Sequence, residues 1–268
     1  MIEPTLILEL LLLGSVTGFL AGLLGIGGGM IMVPFITFIL SSRGVSDSLA
    51  IKMAIATSMA TIIFTSLSSV RAHHQRGAVQ WPLVTRLAPG IVLGSFVASL
   101  GVFSYVKGQN LAMFFAFFVG FSAFQMLRNA KPKPSRVLPG PAGQFSAGGL
   151  IGFLSGLVGA GGAFISVPFM LWCNVAMHHA IGTAAALGFP IAVANVSGYI
   201  ISGWNEQNLP DGAFGYIFVP ALVVIATASV LVAPLGVRAA HALPVGKLKR
   251  LFSLLLFGLA AYMLSKAF

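Results

Sequence analysis

Gly18-Phe19-Leu20-Ala21-Gly22-Leu23-Leu24-Gly25-Ile26-Gly27-Gly28-Gly29 returns later in the chain as Gly152-Phe153-Leu154-Ser155-Gly156-Leu157-Val158-Gly159-Ala160-Gly161-Gly162-Ala163. Both stretches continue to Val-Pro-Phe, at Val33-Pro34-Phe35 and Val167-Pro168-Phe169. Upstream, Gly14, Gly18 and Gly22 recur as Gly148, Gly152 and Gly156. Downstream, Ala54-Ile55-Ala56-Thr57 is paralleled by Ala180-Ile181-Gly182-Thr183, and Val97-Ala98-Ser99-Leu100-Gly101-Val102 by Val232-Ala233-Pro234-Leu235-Gly236-Val237. Landmarks recurring in one order mark an internal duplication. The halves are residues 1–130 and 144–268. Between them, 131–143 is a linker containing Lys131-Pro132-Lys133-Pro134 and Pro139-Gly140-Pro141.

Each glycine run sits inside an apolar stretch too long for one membrane crossing. Residues 10–42 carry no Asp, Glu, Lys or Arg. As one helix they would extend roughly 50 Å at 1.5 Å per residue, against about 30 Å of hydrocarbon. Glycine costs about 1 kcal/mol in a helix interior, so Gly25-Ile26-Gly27-Gly28-Gly29 predicts a break between two half-helices. The segment 144–173 is expected to break in the same way at Gly159-Ala160-Gly161-Gly162.

Composition fixes the solvent. Charged residues make up 7% of the chain and apolar ones 57%, whereas a soluble domain carries about a quarter charged residues. Only helices or closed barrels satisfy their backbone in lipid, and the charge-free runs lack the alternation of strands. Eight apolar segments result, near 5–40, 50–70, 84–106, 109–128, 144–173, 178–202, 213–237 and 248–267. The first lacks the positive flank of a cleaved signal, with no Lys or Arg before Arg43, and is read as retained. The net charge of +10 belongs to loops that set orientation rather than to nucleic-acid binding. The single Cys173 excludes an intrachain disulfide and is read as a packing residue.

Charge also decides orientation. If all eight segments span once, basic residues divide almost evenly between the two sides. If instead the first and fifth enter and return, loop 237–250 joins loops 71–86 and 128–143 inside. Of 15 basic residues, only Arg43, Lys52, Lys107 and Lys266 then stay outside. Cytoplasmic loops favour Lys and Arg, so the second arrangement fits. The expected fold is an all-α integral membrane protein of two inverted-topology repeats. Each repeat is a glycine-broken re-entrant helical hairpin followed by three transmembrane helices, and the linker 131–143 is cytoplasmic. Inverted repeats with broken helices are a recurring plan for secondary transporters.

A break exposes unpaired N–H groups and the positive end of a helix dipole, which together favour an anion. The expected substrate ligands are Gly27, Gly28 and Gly29 with Gly161 and Gly162. Thr57 and Ser58 in one half and Thr183 in the other lie at matched places after the breaks. Each is expected either to donate to a bound oxyanion or to bond its own i−4 carbonyl. Asn195 is expected to serve as a ligand or as an interhelical hydrogen bond. The upstream stripe of Gly14, Gly18 and Gly22 is expected to pack helices closely. No carboxylate lies in the middle of a segment, where cation and proton pathways usually place one, which again favours an anion.

His73-His74 mark a loop, and His178-His179 flank a membrane entry. Adjacent helical residues do not share a face, so no metal site is expected from either pair. Ser155 has no base nearby in sequence, so no hydrolase is expected, and neither is any cofactor. The expected partners are a small anionic substrate and the lipid bilayer, not nucleic acid; a homodimer is compatible with the sequence.

These elements resemble the sulfite exporter TauE/SafE family. The resemblance rests on the duplicated Gly-Phe-x-x-Gly-x-x-Gly-x-Gly-Gly runs ending in Val-Pro and on Ala-Ile-x-Thr in each half. It rests also on the loop His73-His74-Gln75-Arg76-Gly77-Ala78-Val79-Gln80-Trp81. Two positions depart from symmetry: Ala56 stands opposite Gly182, and Ala163 opposite Gly29. The resemblance implies transport of sulfite, sulfoacetate or a related organosulfur anion across the inner membrane, commonly outward, with no enzymatic step. The competing readings are an uptake permease for another small inorganic anion and a non-transporting membrane scaffold subunit for sulfur metabolism. A scaffold needs only packing stripes, so broken helices weigh against it.

Overall fold

The computed structural model of the chain describes residues 4–24, 28–128, 136–242 and 245–268. The first half holds α1 (Pro4–Leu24), α2 (Gly29–Ser42), α3 (Asp47–His74), α4 (Trp81–Phe96) and α5 (Gly108–Leu127). A π-helical turn, Val97–Val102, prolongs α4. The second half holds α6 (Pro141–Val158), α7 (Ala163–Trp172), α8 (Met177–Ser202), α9 (Val219–Ala242) and α10 (Val245–Ser265). Among the described residues 6 helices are long and apolar enough to cross a membrane, and α2 and α7 are shorter apolar pieces. The protein is a multi-pass membrane protein.

Both long apolar segments are broken at their glycines. Helix α6 ends at Gly159 (φ 72°) and α7 starts behind Gly162 (φ 75°). In the first half Gly28 (φ 74°) precedes α2. Gly27, like the linker's Lys131-Pro132-Lys133-Pro134, lies outside the described residues. In each half the second piece folds back on the first. Glu9, Leu12 and Val16 of α1 share one groove with Ile31, Phe35 and Phe38 of α2. Just ahead of α6, Arg136 donates its N–H to the carbonyl of Trp172 at 3.3 Å. Its guanidinium lies 4.3 Å from that residue's ring centroid. The end of α7 therefore returns to where α6 begins.

One expectation needs correction. The seventh segment was expected to be helical from 213, but Ala213–Phe214 (β1) and Ile217–Phe218 (β2) form a short antiparallel pair, with Ala213 opposite Phe218. Left-handed Gly212 (φ 84°) and Gly215 (φ 57°) turn the chain there, and α9 begins only at Val219. An apolar count cannot separate Phe, Tyr and Ile in a strand from the same residues in a helix. The chain is thus nearly all-helical.

The glycine stripes seat helices backbone to backbone. A Cβ on Gly14 would lie 2.7 Å from the Ile225 carbonyl oxygen of α9, and one on Gly18 2.5 Å from Ser229 Cα. A Cβ on Gly22 would run into the Ala233 carbonyl. On α6, Gly148 and Gly152 meet the carbonyls of Leu87 and Ile91 on α4 in the same way. The most extensive contacts are α1 on α9, α4 on α6, α5 on α10 and α3 on α8. Every one of these pairs joins the first half to the second. The middle of α3, from Met53 to Ile62, is buried, so it runs through the centre of the bundle.

Candidate functional site

The two breaks meet. A Cβ on Gly29 would collide with the carbonyl oxygen of Gly159, so the start of α2 rests directly on the end of α6. Helix α3 fastens this junction: Ser58 Oγ donates to the Gly159 oxygen at 3.0 Å. Gly28 and Gly162 each stand immediately before a half-helix with φ near +75°. An L-residue side chain would pay about 1–2 kcal/mol for that backbone.

Behind Gly162, the N–H groups of Ile165 and Ser166 bond its carbonyl at 3.1 and 2.9 Å. Those of Ala163 and Phe164 have no acceptor within the helix, as at any helix start. Buried hydroxyls gather here. Ser155 Oγ lies 3.0 Å from where a Gly162 Cβ would sit, and both Ser155 and Ser166 are buried with no hydrogen-bond partner.

Beside this break is a small cavity. Gly161 forms one wall, Thr65, Ser66 and Ser69 of α3 another, and Ala184, Ala185 and Gly188 of α8 a third. Thr65 Oγ1 donates to the Thr61 carbonyl at 3.1 Å and Ser66 Oγ to that of Ile63 at 3.0 Å. Ser69 Oγ is buried and has no partner. Among the described residues no charged side chain lines the space. Its volume is about 10 Å³, which suits about one water molecule. The conformation is contracted, and a larger solute enters only if these helices move apart.

Of the glycines singled out in the sequence, Gly161 lines the cavity. Gly28 packs against Thr17 and Met32, Gly29 against Gly159, and Gly162 against Ile191 and Ser155. The hydroxyls of Thr57 and Thr183 take a third role, neither free nor bonded to their own helix. Thr57 Oγ1 accepts the N–H of Phe218 at 2.9 Å, and Thr183 Oγ1 accepts that of Gln80 at 3.0 Å. Asn195 corrects the expectation of an interhelical bond. Its Nδ2 donates to Ile191 one turn back at 2.9 Å, and its buried Oδ1, without a partner, faces Gly156. Sequence reasoning missed Thr65, Ser66 and Ser69. The available signal was a hydroxyl at every fourth position of α3 (Thr57, Thr61, Thr65, Ser69), which places them along one side of a helix.

Near the N-terminal end of α3, an aromatic cluster reaches toward the second break. Lys52 Nζ donates to the Ser104 carbonyl at 3.2 Å. It lies 5.8 and 5.4 Å from the ring centroids of Phe103 and Tyr216. The ring of Phe103 packs tilted, with its centroid 4.5 Å from that of Tyr199, whose hydroxyl donates to the Gly156 carbonyl. Tyr216 donates to the Glu206 carboxylate at 2.7 Å. Burial, then that hydrogen bond, pushes its phenol pKa above the ordinary value, so Tyr216 remains a neutral donor. His74 and His179 act as staples. His74 Nδ1 accepts from the Trp81 indole at 3.1 Å, and His179 Nδ1 lies 3.2 Å from the Ala78 carbonyl.

The chain is similar to proteins named as membrane transporters. Residues 10–263 match the family described as Sulfite exporter TauE/SafE. A protein of Haemophilus influenzae named "Probable membrane transporter protein" is 34% identical over 262 residues, 98% of this chain and 99% of its own. A similarly named protein of Methanocaldococcus jannaschii is 25% identical over 246 residues, 88% of this chain and 87% of its own. YunE of Bacillus subtilis, also named a probable membrane transporter protein, is 28% identical over 185 residues, covering 60% and 66%. No solved structure matches the chain.

Proposed function

The chain belongs to the sulfite exporter TauE/SafE family of membrane transporters, and on that premise we propose that it carries a small sulfur-containing anion outward across the inner membrane. Sulfite, sulfoacetate and related organosulfur anions are the substrate class. The observation that carries the reading is the wall of the cavity at Gly161: three hydroxyl side chains, and no charged group among the described residues. The start of α7 stands next to it, with a helix dipole worth about half a positive charge. Such a site holds an anion through neutral donors and dipoles. An unpaired Lys or Arg in its place would be costly in hydrocarbon, and would hold the anion too firmly for release.

The two halves act as inverted repeats that alternate access. This reading is supported by the helix pairing, in which exchanging the halves turns α1–α9 into α6–α4 and leaves α3–α8 and α5–α10 unchanged. The charge distribution supports it independently. On this reading the rings of Phe103, Tyr199 and Tyr216 stand on the periplasmic side of the junction, and the hydroxyl-lined cavity stands on its cytoplasmic side. Gly28 and Gly29 with Gly162 shape the two breaks, and Gly161 faces the substrate. Ser58, Thr57 and Thr183 hold the surrounding helices in register. A scaffold protein would give the paired breaks no task.

Vesicles reconstituted with the purified protein test the reading. Saturable movement of sulfite or sulfoacetate is expected. A folded protein that moves neither, nor any other organosulfur anion, would sink it.

A further inference from the structure

A second cavity, of about 290 Å³, lies away from the breaks where α4 and α6 begin side by side. Its walls include Trp81, Leu83 and Arg86 of α4, Leu138 of the approach to α6, and Gln144 in the first turn of α6. Packing leaves Gln144 unexplained. Gln144 is buried, and its Nε2 donates to the Pro139 carbonyl at 2.7 Å. A carbonyl needs a donor, so this bond fixes which way the amide points. Oε1 is then left buried without a partner, an arrangement that is costly unless something donates to it. Arg86 supplies a full positive charge and a planar set of donors, yet no carboxylate stands among the residues lining the cavity.

The position adds a third constraint. Trp81 is the first residue of a membrane-spanning segment and is 45% exposed, the placement of an indole at a membrane–water boundary. Leu83 and Leu138 give the same cavity apolar walls. A ligand that fits therefore carries an anionic group for Arg86, a separate hydrogen-bond donor for Gln144, and an apolar part that stays at the bilayer surface. We propose that this cavity binds the headgroup of a glycerophospholipid that has its own hydrogen-bond donor. The phosphate rests on Arg86, and an ethanolamine ammonium or a glycerol hydroxyl donates to Gln144 Oε1. The bound lipid bridges α4 to α6, one of the most extensive contacts between the halves. The site is independent of the substrate cavity and of the identity of the transported anion.

Native mass spectrometry of the full chain in mild detergent tests it with four probes: phosphatidylethanolamine, phosphatidylglycerol, phosphatidylcholine and inorganic phosphate. The first two are expected to bind about tenfold more tightly than phosphatidylcholine, whose headgroup has no donor, a ratio suited to one hydrogen bond. Gln144→Met should erase that preference, while Arg86→Gln should weaken all three lipids and leave the ratio in place. The proposal is overturned if wild-type protein binds phosphatidylcholine as well as phosphatidylethanolamine. It is equally overturned if Gln144→Met keeps the preference, or if inorganic phosphate alone binds as tightly as the lipids.

Discussion

Thr183 Oγ1 accepts the main-chain N–H of Gln80 at 3.0 Å, and Thr57 Oγ1 accepts that of Phe218 at 2.9 Å. Gln80 immediately precedes α4 and Phe218 immediately precedes α9. In both cases the long helix after a break, in one half, satisfies the start of a helix in the other. Both threonines are fully buried; the bond to Phe218 is buried, so that N–H cannot turn to water instead, while the bond to Gln80 is partly buried. Thr57→Val or Thr183→Val should each lower unfolding stability by about 1–3 kcal/mol, the usual cost of a buried donor left unpaired. Serine at either position keeps the acceptor and should lose less. Thermal unfolding in detergent reads this directly. Valine variants of native stability that have lost transport would reassign both hydroxyls to the substrate.

Segments 71–86 and 237–250, in which α3 passes to α4 and α9 to α10, should both face the cytoplasm. Single cysteines introduced in each segment, with buried Cys173 replaced by serine, should react with impermeant reagents only from that side. Labelling of the two segments from opposite sides would contradict the inverted arrangement.

Ser69→Ala should weaken apparent substrate affinity by about two- to tenfold, the worth of one ordinary hydrogen bond, without loss of unfolding stability. The hydroxyl is buried and has no partner in the contracted state, so its removal costs the empty protein nothing. A drop in stability with unchanged affinity would show that Ser69 serves the fold alone.

Lys52→Met should change substrate affinity little. The ammonium is engaged by the Ser104 carbonyl and by the rings of Phe103 and Tyr216. Its loss should therefore appear in unfolding stability, at about 0.5–2 kcal/mol for the cation–π contact. Collapse of affinity in a folded Lys52→Met protein would mean that a charged ligand acts at the site.

The breaks and the packing stripes were legible in the sequence because glycine encodes two local facts. It permits the left-handed backbone seen at Gly28 and Gly162, and it permits the contact of α1 with α9 seen at Gly18 and Gly22. Apolar segments were legible because lipid selects for length and lack of charge. What stayed hidden depends on distant partners. Nothing local tells Thr57 that Phe218 will offer it an N–H. Nothing local tells Ser69 that Ala184, Ala185 and Gly188 will leave room beside it. The hairpin at 213–218 was misread because Phe214, Tyr216 and Phe218 suit a strand, a helix or a membrane equally well by apolarity.

The central claim is that an anion is carried at the second break through neutral donors, and Gly161→Leu tests it most directly. A leucine there fills the cavity of about 10 Å³ beside Thr65, Ser66 and Ser69. Sulfite flux should be measured in vesicles holding equal amounts of the wild-type and Gly161→Leu proteins, both confirmed folded by their unfolding temperatures. The account predicts saturable flux in the first and none in the second. Wild-type flux in Gly161→Leu would contradict it and place the transport path elsewhere.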